Sequence, residues 1–272
     1  MKNKSLLITG SHRSGSTWIG KVFESSGLFH YIDEPFNIDG TKDKLDGLNY
    51  WFEYTKNNID IINQLKNKLN QPKIPLFKDP IAFFSTETFY KELNSNILIS
   101  VRHPAAFVSS LKRLGWQHDF NHFLKQEELM ETLLYPFRDK IIKFSIMEQN
   151  IIDQGILLWN IIYLNALKFK QKHNDIYLVT HEKLSLNPIE EFKNIFNEFK
   201  YEFNEQVVEY INLTTNSNNE IEVKNNVVHQ LNRNSKENIN TFKTRLTQEE
   251  LLYIKKHTQE IAHIFYDANS WN

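Results

Sequence analysis

A short, glycine-punctuated turn rich in hydroxyl groups follows the first apolar segment of the chain. The segment Leu6-Leu7-Ile8 leads through Thr9-Gly10 into Ser11-His12-Arg13-Ser14-Gly15-Ser16-Thr17-Trp18. When an apolar strand runs through such a turn into an amphipathic helix, successive backbone N–H groups point into one concavity. The positive end of the helix dipole adds to their attraction for an anion. The turn therefore predicts a phosphate cradle, with Arg13 as its cation.

The turn differs from the P-loop of nucleotide hydrolases at one position that matters for the reaction. Ser16 stands where that motif has its lysine, and the cation lies upstream at Arg13. A phosphoryl-transfer loop also needs a magnesium site, which an acidic residue at the end of another strand normally completes. The next convincing strand, 96–101, ends instead in Arg102-His103-Pro104. A second anion-binding cation is therefore predicted where a metal ligand is expected, and we predict no metal site.

Two motifs in this order resemble the sulfotransferases that use 3′-phosphoadenosine 5′-phosphosulfate (PAPS). Arg13-Ser14-Gly15-Ser16-Thr17-Trp18 resembles their 5′-phosphosulfate loop. Val101-Arg102-His103-Pro104 with Ser109-Ser110 resembles their 3′-phosphate element of strand, arginine, proline and a serine along the helix. A Ser/Gly turn alone is often a linker or a helix cap. The presence of the second motif favours the sulfotransferase family, because the planar guanidinium groups of Arg13 and Arg102 can donate two hydrogen bonds to one anion.

Further segments extend the resemblance from Leu6 to about Leu252. Glu34-Pro35-Phe36 is similar to a segment of carbohydrate 6-O-sulfotransferases, and Phe77-Lys78-Asp79-Pro80 is similar to the family's Lys-Asp-Pro before the 3′-phosphate strand. Residues 176–184 with Asn187-Pro188 are similar to the family's late strand and turn. Arg233 with Phe242-Lys243 is similar to its closing basic loop. His181 stands where the family usually has tyrosine, and Phe242 where it has tryptophan.

The resemblance implies an α/β fold in which helices flank a central parallel sheet and a P-loop-like strand–loop–helix binds the donor. The pattern of the chain predicts the same class, since apolar runs and turn residues alternate with amphipathic stretches. We expect strands at 6–10, 74–77, 96–101 and 176–180, helices at 16–26, 85–93, 104–114 and 151–172, a polar helical region at 42–70, and a helix that begins at Thr247.

The 272 residues are predicted to form a single domain, 1–272. Residues 115–150 lack strand periodicity and lie between the nucleotide elements, so we expect either a helical cover over the acceptor or a plain helical bundle packed on the sheet. The Asn-rich stretch 214–240 is predicted to be a surface loop. In a PAPS enzyme this is where a lid closes over the 3′-phosphate.

The composition limits the class of protein. Lys and Arg number 32 against 33 for Asp and Glu, so no overall nucleic-acid-binding surface is expected. The absence of cysteine excludes disulfides, thiolate catalysis and cysteine-ligated metals, and it fits a reducing compartment. The chain enters its first strand at once, and no apolar run is long enough to span a bilayer. We expect a cytoplasmic protein, and its oligomeric state is not indicated.

The resemblance implies a role for each residue of the donor site. The residues assigned to the 5′-phosphosulfate are Arg13, Ser14, Gly15, Ser16 and Thr17, and those assigned to the 3′-phosphate are Arg102, Ser110 and Arg233. Ser110 is preferred to Ser109 because it has the family's spacing from the arginine. Trp18 either stacks on adenine or packs in the first turn of its helix.

Sulfuryl transfer to a hydroxyl also needs a cation for the charge that develops on the bridging oxygen and a base for the acceptor proton. Glu34 resembles the catalytic glutamate of the glycan and tyrosyl enzymes, although such a residue can also be a helix cap or an ion-pair partner. Lys78 is the expected second cation, and Asp79 is an alternative base or the partner that orients Lys78. His118 and His122 compete as bases.

The predicted function is transfer of a sulfuryl group from PAPS to a hydroxyl acceptor, and the Glu34-Pro35-Phe36 segment favours a carbohydrate or glycoconjugate as that acceptor. Two alternatives stay open. One is a P-loop kinase of a small metabolite, against which Ser16 argues. The other is a protein that binds 3′-phosphoadenosine 5′-phosphate (PAP) or another nucleotide without catalysis.

We predict that PAP binds tightly without a divalent metal, because the anion sites are built from arginines and backbone amides. Calorimetric titration in EDTA should give the same affinity as titration in magnesium. A strict magnesium requirement, or tighter binding of ATP than of PAP, would contradict the sulfotransferase interpretation and favour the kinase.

Overall fold

The computed structural model describes residues 4–40, 42–216, 218 and 234–271, and its centre is a five-stranded parallel sheet. The strands are β1 (Leu6–Gly10), β2 (Phe29–Asp33), β3 (Ile74–Lys78), β4 (Asn96–Val101) and β5 (Tyr177–Thr180). Their order in the sheet is β2-β3-β1-β4-β5, and every neighbouring pair is parallel. Parallel strands need long crossover connections, which helices provide here.

Fourteen α-helices flank the sheet in the described part of the chain. They are α1 (Ser16–Ser25), α2 (Ile59–Asn67), α3 (Thr86–Glu92), α4 (Pro104–Leu114), α5 (Asn121–Leu124), α6 (Glu127–Glu131), α7 (Arg138–Ile146), α8 (Ile151–Lys172), α9 (His181–Leu186), α10 (Pro188–Glu198), α11 (Glu205–Thr215), α12 (Ser235–Asn238), α13 (Phe242–Arg245) and α14 (Gln248–Ala262). None of these described helices is both long and apolar enough to cross a membrane. The predicted α/β class, with a central parallel sheet and a P-loop-like first crossover, is confirmed.

The sheet separates two hydrophobic cores, and β1 contributes to both. Leu6 and Ile8 are fully buried in one core, together with Phe192 of α10. Leu7 is fully buried in the other, which also contains Phe107 of α4. This alternation follows from the two-residue period of a strand. Since apolar side chains fill both faces, the polar groups that could do chemistry are confined to the strand ends.

The pairing of β1 with β4 brings the ends of these two strands side by side. Gly10 lies opposite Ser100 in the register. The φ angle of Gly10 is 137°, and a Cβ atom added there would lie 2.3 Å from the backbone oxygen of Ser100. Only glycine permits both that conformation and that approach. The turn after β1 and the residues after β4 therefore meet at one place.

Two parts of the fold differ from the sequence prediction. Of the polar region 42–70, only α2 is an α-helix. Before it, the Glu53 carboxylate accepts hydrogen bonds from the backbone N–H groups of Asn49 and Tyr50, a local alternative to helical pairing. β2 was not predicted. Among the described residues it is an edge strand next to β3, and its two buried residues, Phe29 and Ile32, are three positions apart, so the two-residue period typical of a strand is missing.

We predict that Gly10→Ala lowers the free energy of unfolding by roughly 3 kcal/mol or more, because the added Cβ clashes with a backbone atom that cannot move aside. Gly47→Ala is the matched control. Gly47 also has a positive φ of 81° but has no atom near its missing Cβ, so it should cost only about 1 kcal/mol. Equal losses in chemical denaturation would contradict the close approach of the two strands.

Candidate active site

A cleft of about 690 Å³ lies at the carboxyl ends of the strands. Each of the five strands is followed by residues that line it: Arg13 and Gly15 after β1, Glu34 after β2, Pro80 and Ile81 after β3, Arg102 after β4, and His181 after β5. Ligands of open parallel sheets bind at this edge. The cleft is therefore the candidate active site.

The turn between β1 and α1 has the geometry of an anion cradle. Arg13 and Gly15 have positive φ angles of 65° and 89°, which place the chain in the left-handed region twice within three residues. α1 begins at Ser16 without a side-chain cap, so its first N–H groups have no partner within the helix. The buried Ser14 hydroxyl also has no partner among the described residues. These polar groups fit a bound phosphate or sulfate.

His181 packs directly against this turn. A Cβ atom on Gly15 would lie 2.4 Å from the His181 Nδ1 atom. The Nε2 atom of the same ring lies 3.3 Å from the Ser185 hydroxyl, and the ring contacts Trp18 edge to face at 5.9 Å. The residue that replaces the family's tyrosine thus supports the turn, and glycine is required opposite it.

Trp18 has the packing role that was one of the two alternatives expected for it. Its indole is largely buried, contacts Phe192 edge to face at 5.3 Å and donates a hydrogen bond to the Thr214 hydroxyl at 3.0 Å. It nevertheless lines the cleft. Trp18 therefore packs in the first turn of α1 and still presents part of its surface to a ligand, so adenine stacking stays a prediction.

Arg102 follows β4 with its side chain 11% exposed and one carboxylate nearby. Its Nε atom lies 3.9 Å from the Glu182 Oε1 atom, beyond hydrogen-bond distance. Glu182 is held in turn by the backbone N–H of His103 at 3.1 Å and the hydroxyl of Tyr266 at 2.8 Å. Burial lowers the pKa of Arg102, and Glu182 opposes that shift. The result is a fixed guanidinium at the cleft whose Nε–H has no acceptor among the described residues.

The two predicted anion elements touch each other. Arg13 donates from Nε to the Ser110 hydroxyl at 3.2 Å, and its guanidinium lies 5.6 Å from the ring centre of Trp116. The cation assigned to the 5′-phosphosulfate therefore lies in this structure beside a residue assigned to the 3′-phosphate. Ser109 instead donates to the carbonyl oxygen of Ala106 within its own helix, which agrees with the preference for Ser110.

Two aromatic residues of α8 hold the ends of both strands, and the sequence analysis did not identify them. The Tyr163 hydroxyl lies 2.8 Å from the Ser11 hydroxyl, accepts the Arg102 N–H at 3.1 Å and donates to the Ser100 carbonyl at 3.2 Å. Trp159 donates to the Arg102 carbonyl at 2.8 Å. A tryptophan and a tyrosine four residues apart on an apolar helix share one face and need buried polar partners. This spacing of Trp159 and Tyr163 is the feature of the sequence from which their role could have been predicted.

Lys78 and Glu34 form an ion pair beside the cleft. The Lys78 side chain is only 1% exposed, whereas that of Glu34 is 25% exposed. The Lys78 ammonium lies 2.5 Å from Glu34 Oε1 and 2.7 Å from Asp33 Oδ1. Burial disfavours the charged ammonium, but the two carboxylates outweigh burial and raise the pKa of Lys78. Glu34 has a φ of 46° and accepts a second hydrogen bond from Asn37. Glu34 lines the cleft, whereas the Lys78 ammonium faces the carboxylates.

Asp79 supports the backbone of the site. One of its carboxylate oxygens accepts the N–H of Phe36, and the other accepts those of Ile81 and Ala82. Burial raises the pKa of Asp79 to about 7, and the N–H of Phe36 acts in the opposite direction. The expectation that Asp79 orients Lys78 is corrected here, because Asp33 and Glu34 hold that ammonium.

The predicted cover and lid segments lie partly at the cleft. Residues 115–119 and His122 line it, and the remainder of 115–150 contains α5, α6 and α7. The described ends of the predicted surface loop 214–240 are partly helical, which corrects that prediction: Thr214 lies in α11, and Ser235 and Asn238 lie in α12. These three residues line the cleft. The rest of the predicted lid includes residues 217 and 219–233, so Arg233 lies outside the described residues. No cluster of three or more histidine, aspartate or glutamate residues that could hold a metal occurs in the described ranges.

Solved structures of sulfotransferases share this fold. The sulfotransferase domain from the curacin biosynthetic pathway matches with a TM-score of 0.60 and 14% identity over 97% of this chain and 98% of that one. The sulfotransferase domain from the Synechococcus PCC 7002 olefin synthase matches with a TM-score of 0.59 and 15% identity over 98% and 97%. Mouse sulfotransferase SULT7A1 complexed with PAP matches with a TM-score of 0.52 and 12% identity over 97% and 86%.

No protein-family model and no curated protein matches the sequence. The likeness to solved structures is therefore one of fold at low sequence identity, and it extends over nearly the whole chain. The chain has the sulfotransferase fold.

We predict that Tyr163→Phe weakens PAP binding about tenfold, because it leaves the Arg102 N–H and the Ser11 hydroxyl without their shared partner. Stability should fall by about 1–3 kcal/mol. Tyr253→Phe is the control, since the Tyr253 hydroxyl bonds Asp153 on the exposed surface. Unchanged PAP affinity in the Tyr163 variant, measured by calorimetry, would show that this hydroxyl does not position the anion site.

Proposed function

We propose that this protein transfers a sulfuryl group from PAPS to a hydroxyl acceptor. The observation that carries the proposal is that the uncapped start of α1, Arg13 and Arg102 meet at one cleft, with Ser110 bonded to Arg13 beside it. PAPS carries anionic groups at both its 5′ and 3′ positions. The sulfotransferase fold, including that of a relative solved with PAP, supports the proposal.

The amides and hydroxyls of Ser14 to Thr17 bind the 5′-phosphosulfate in this proposal. Arg102 takes the 3′-phosphate, because its buried Nε–H has no acceptor among the described residues and a desolvated guanidinium binds a phosphate strongly. Arg13 lies between the two positions through its bond to Ser110. Trp18 receives the adenine, and Arg233 adds a contact to the 3′-phosphate.

Glu34 is the proposed base. When the acceptor oxygen bonds to sulfur, the bond between sulfur and the bridging oxygen breaks, PAP leaves, and the acceptor proton passes to the Glu34 carboxylate. Lys78 holds that carboxylate at the edge of the cleft through the 2.5 Å contact. The lysine therefore orients the base and balances its charge, and the arginines and loop amides stabilise the charge on the departing PAP.

The acceptor is proposed to lie between Glu34 and the aromatic residues Trp51, Phe52 and Trp116, which line the same cleft. The likeness of Glu34-Pro35-Phe36 to carbohydrate enzymes favours a glycan hydroxyl. Aromatic walls accommodate the apolar face of a sugar ring as well as an aromatic alcohol, so a screen with labelled PAPS should include glycan, lipid and phenolic acceptors.

We predict that Arg102→Ala weakens PAP binding by about 1.5–3 kcal/mol, the scale of a hydrogen bond to a charged group. Adenosine 5′-phosphosulfate, which lacks the 3′-phosphate, should bind the variant almost as well as it binds the wild type. Arg138→Ala, on the exposed helix α7, is the control. Equal losses for both ligands in calorimetry would mean that Arg102 supports the fold and does not recognise the 3′-phosphate.

We predict that Glu34→Gln lowers turnover by roughly 10²–10⁴, because the amide keeps the shape of the side chain but cannot accept the proton. PAP affinity should stay near that of the wild type. Glu92→Gln, on the exposed end of α3, is the control. Wild-type turnover with the identified acceptor would place the base elsewhere. His118 and His122 line the cleft and are the next candidates, whereas Asp79 is buried and bound to backbone N–H groups.

A further inference from the structure

Two histidines of the cleft have no role in donor binding or in proton transfer to Glu34. His12 precedes the cation of the turn, and His118 lies between α4 and α5. Both line the cleft. The His12 Nδ1 atom and the His118 Nε2 atom are buried and have no hydrogen-bond partner among the described residues. Neither residue makes a side-chain hydrogen bond elsewhere in the described ranges. Unpaired nitrogens of this kind are costly unless a ligand or water satisfies them.

Both imidazoles pack into one aromatic wall. The His12 ring lies 6.1 Å from the ring centre of Phe52 and 6.3 Å from that of Trp116. The His118 ring lies 5.6 Å from Phe52 and 4.6 Å from Phe123. Phe52 therefore contacts both imidazoles. Polar nitrogens set in an otherwise aromatic surface are the usual way in which a pocket combines an apolar fit with a directional hydrogen bond.

The two rings are neutral near pH 7. Burial, and then the charge of Arg13, lowers the pKa of His12 to about 4. Burial, and then His12 and His122, lowers the pKa of His118 to about 3. A neutral imidazole offers one N–H donor and one acceptor nitrogen. The pair can therefore exchange hydrogen bonds with a hydroxyl or carbonyl group but supplies no positive charge.

The carboxylates of Glu34, Asp39 and Asp119 line the same cleft as this wall. The described cations of the lining are Arg13 and Arg102, both assigned to the donor, and Arg13 lies 5.6 Å from the ring centre of Trp116. His122 is already engaged, since its Nδ1 atom accepts the backbone N–H of Trp51 at 2.9 Å. An anionic acceptor would meet three carboxylates with no unassigned cation to offset them in the described lining. An uncharged acceptor would not face that repulsion.

We propose that His12 and His118 form an acceptor subsite that hydrogen-bonds an uncharged hydroxyl compound through a polar group other than the reacting hydroxyl, while Phe52 and Trp116 pack against its apolar face. This inference rests on the proposed sulfuryl transfer and restricts its acceptors. It selects neutral sugars and neutral aromatic alcohols and disfavours uronic acids and other anionic acceptors.

The test uses the PAP-loaded protein at pH 7 and two matched pairs of probes. The pairs are 2-naphthol with 6-hydroxy-2-naphthoate, and methyl β-D-glucopyranoside with the corresponding methyl glucuronide. In at least one pair, we expect the neutral member to bind at least about tenfold more tightly than its anionic counterpart. Binding of that neutral member should also shift the imidazole ¹⁵N resonances of His12 and His118. Equal or tighter binding of the anions, or no binding of either neutral probe, would overturn the proposal.

Variants locate the subsite. His12→Phe and His118→Phe keep the aromatic packing and remove the ring nitrogens, so each should weaken binding of the neutral probe about tenfold and leave PAP affinity unchanged. His118→Gln, which restores hydrogen-bonding groups, should recover part of the loss. His263→Phe, at the exposed residue that follows α14, is the control. Full probe affinity in both phenylalanine variants would overturn the subsite. Failure of the wild type to bind PAP would instead contradict the proposed function, and the same probe titrations without PAP would still test the histidines.

Discussion

The candidate site depends on one buried hydroxyl group. The Tyr163 side chain reaches from α8 to the ends of β1 and β4 and bonds Ser11, Ser100 and Arg102 together. Because Gly10 lets the two strands approach closely, this single oxygen can contact the turn and the arginine at once. The turn and the backbone of Arg102 are therefore held by the same helix, an arrangement that would preorganise the proposed binding of a doubly anionic nucleotide.

Charges of both signs line the cleft. Its described cations are Arg13 and Arg102, which are proposed to bind the nucleotide, and its carboxylates are Glu34, Asp39 and Asp119. The Lys78 ammonium adds no free positive charge, because it is buried against Glu34 and Asp33. One lysine with two carboxylates has a net negative charge. Under the proposed reaction, Glu34 therefore acts as a base beside an uncharged acceptor, and the arginines stabilise the charge on the departing PAP.

Local patterns in the sequence predicted the parts of the site that are local in the chain. The turn 11–18 and the strand that ends at Arg102 were identified because apolar runs, glycine and proline mark them directly. Contacts that depend on the packing of distant segments were not predicted. Tyr163 meets the strand ends only because α8 lies under them, and Lys78 meets Asp33 only because β2 pairs with β3. The role of Asp79 was open in the sequence for the same reason.

The most direct test of the account is a crystal structure of the protein with PAP. The account predicts the 5′-phosphate on the backbone amides of Ser14 to Thr17 and the 3′-phosphate against the Arg102 guanidinium and the Ser110 hydroxyl, with the Tyr163 contacts unchanged. A nucleotide bound elsewhere, or bound in this cleft with its 3′-phosphate away from Arg102, would contradict it.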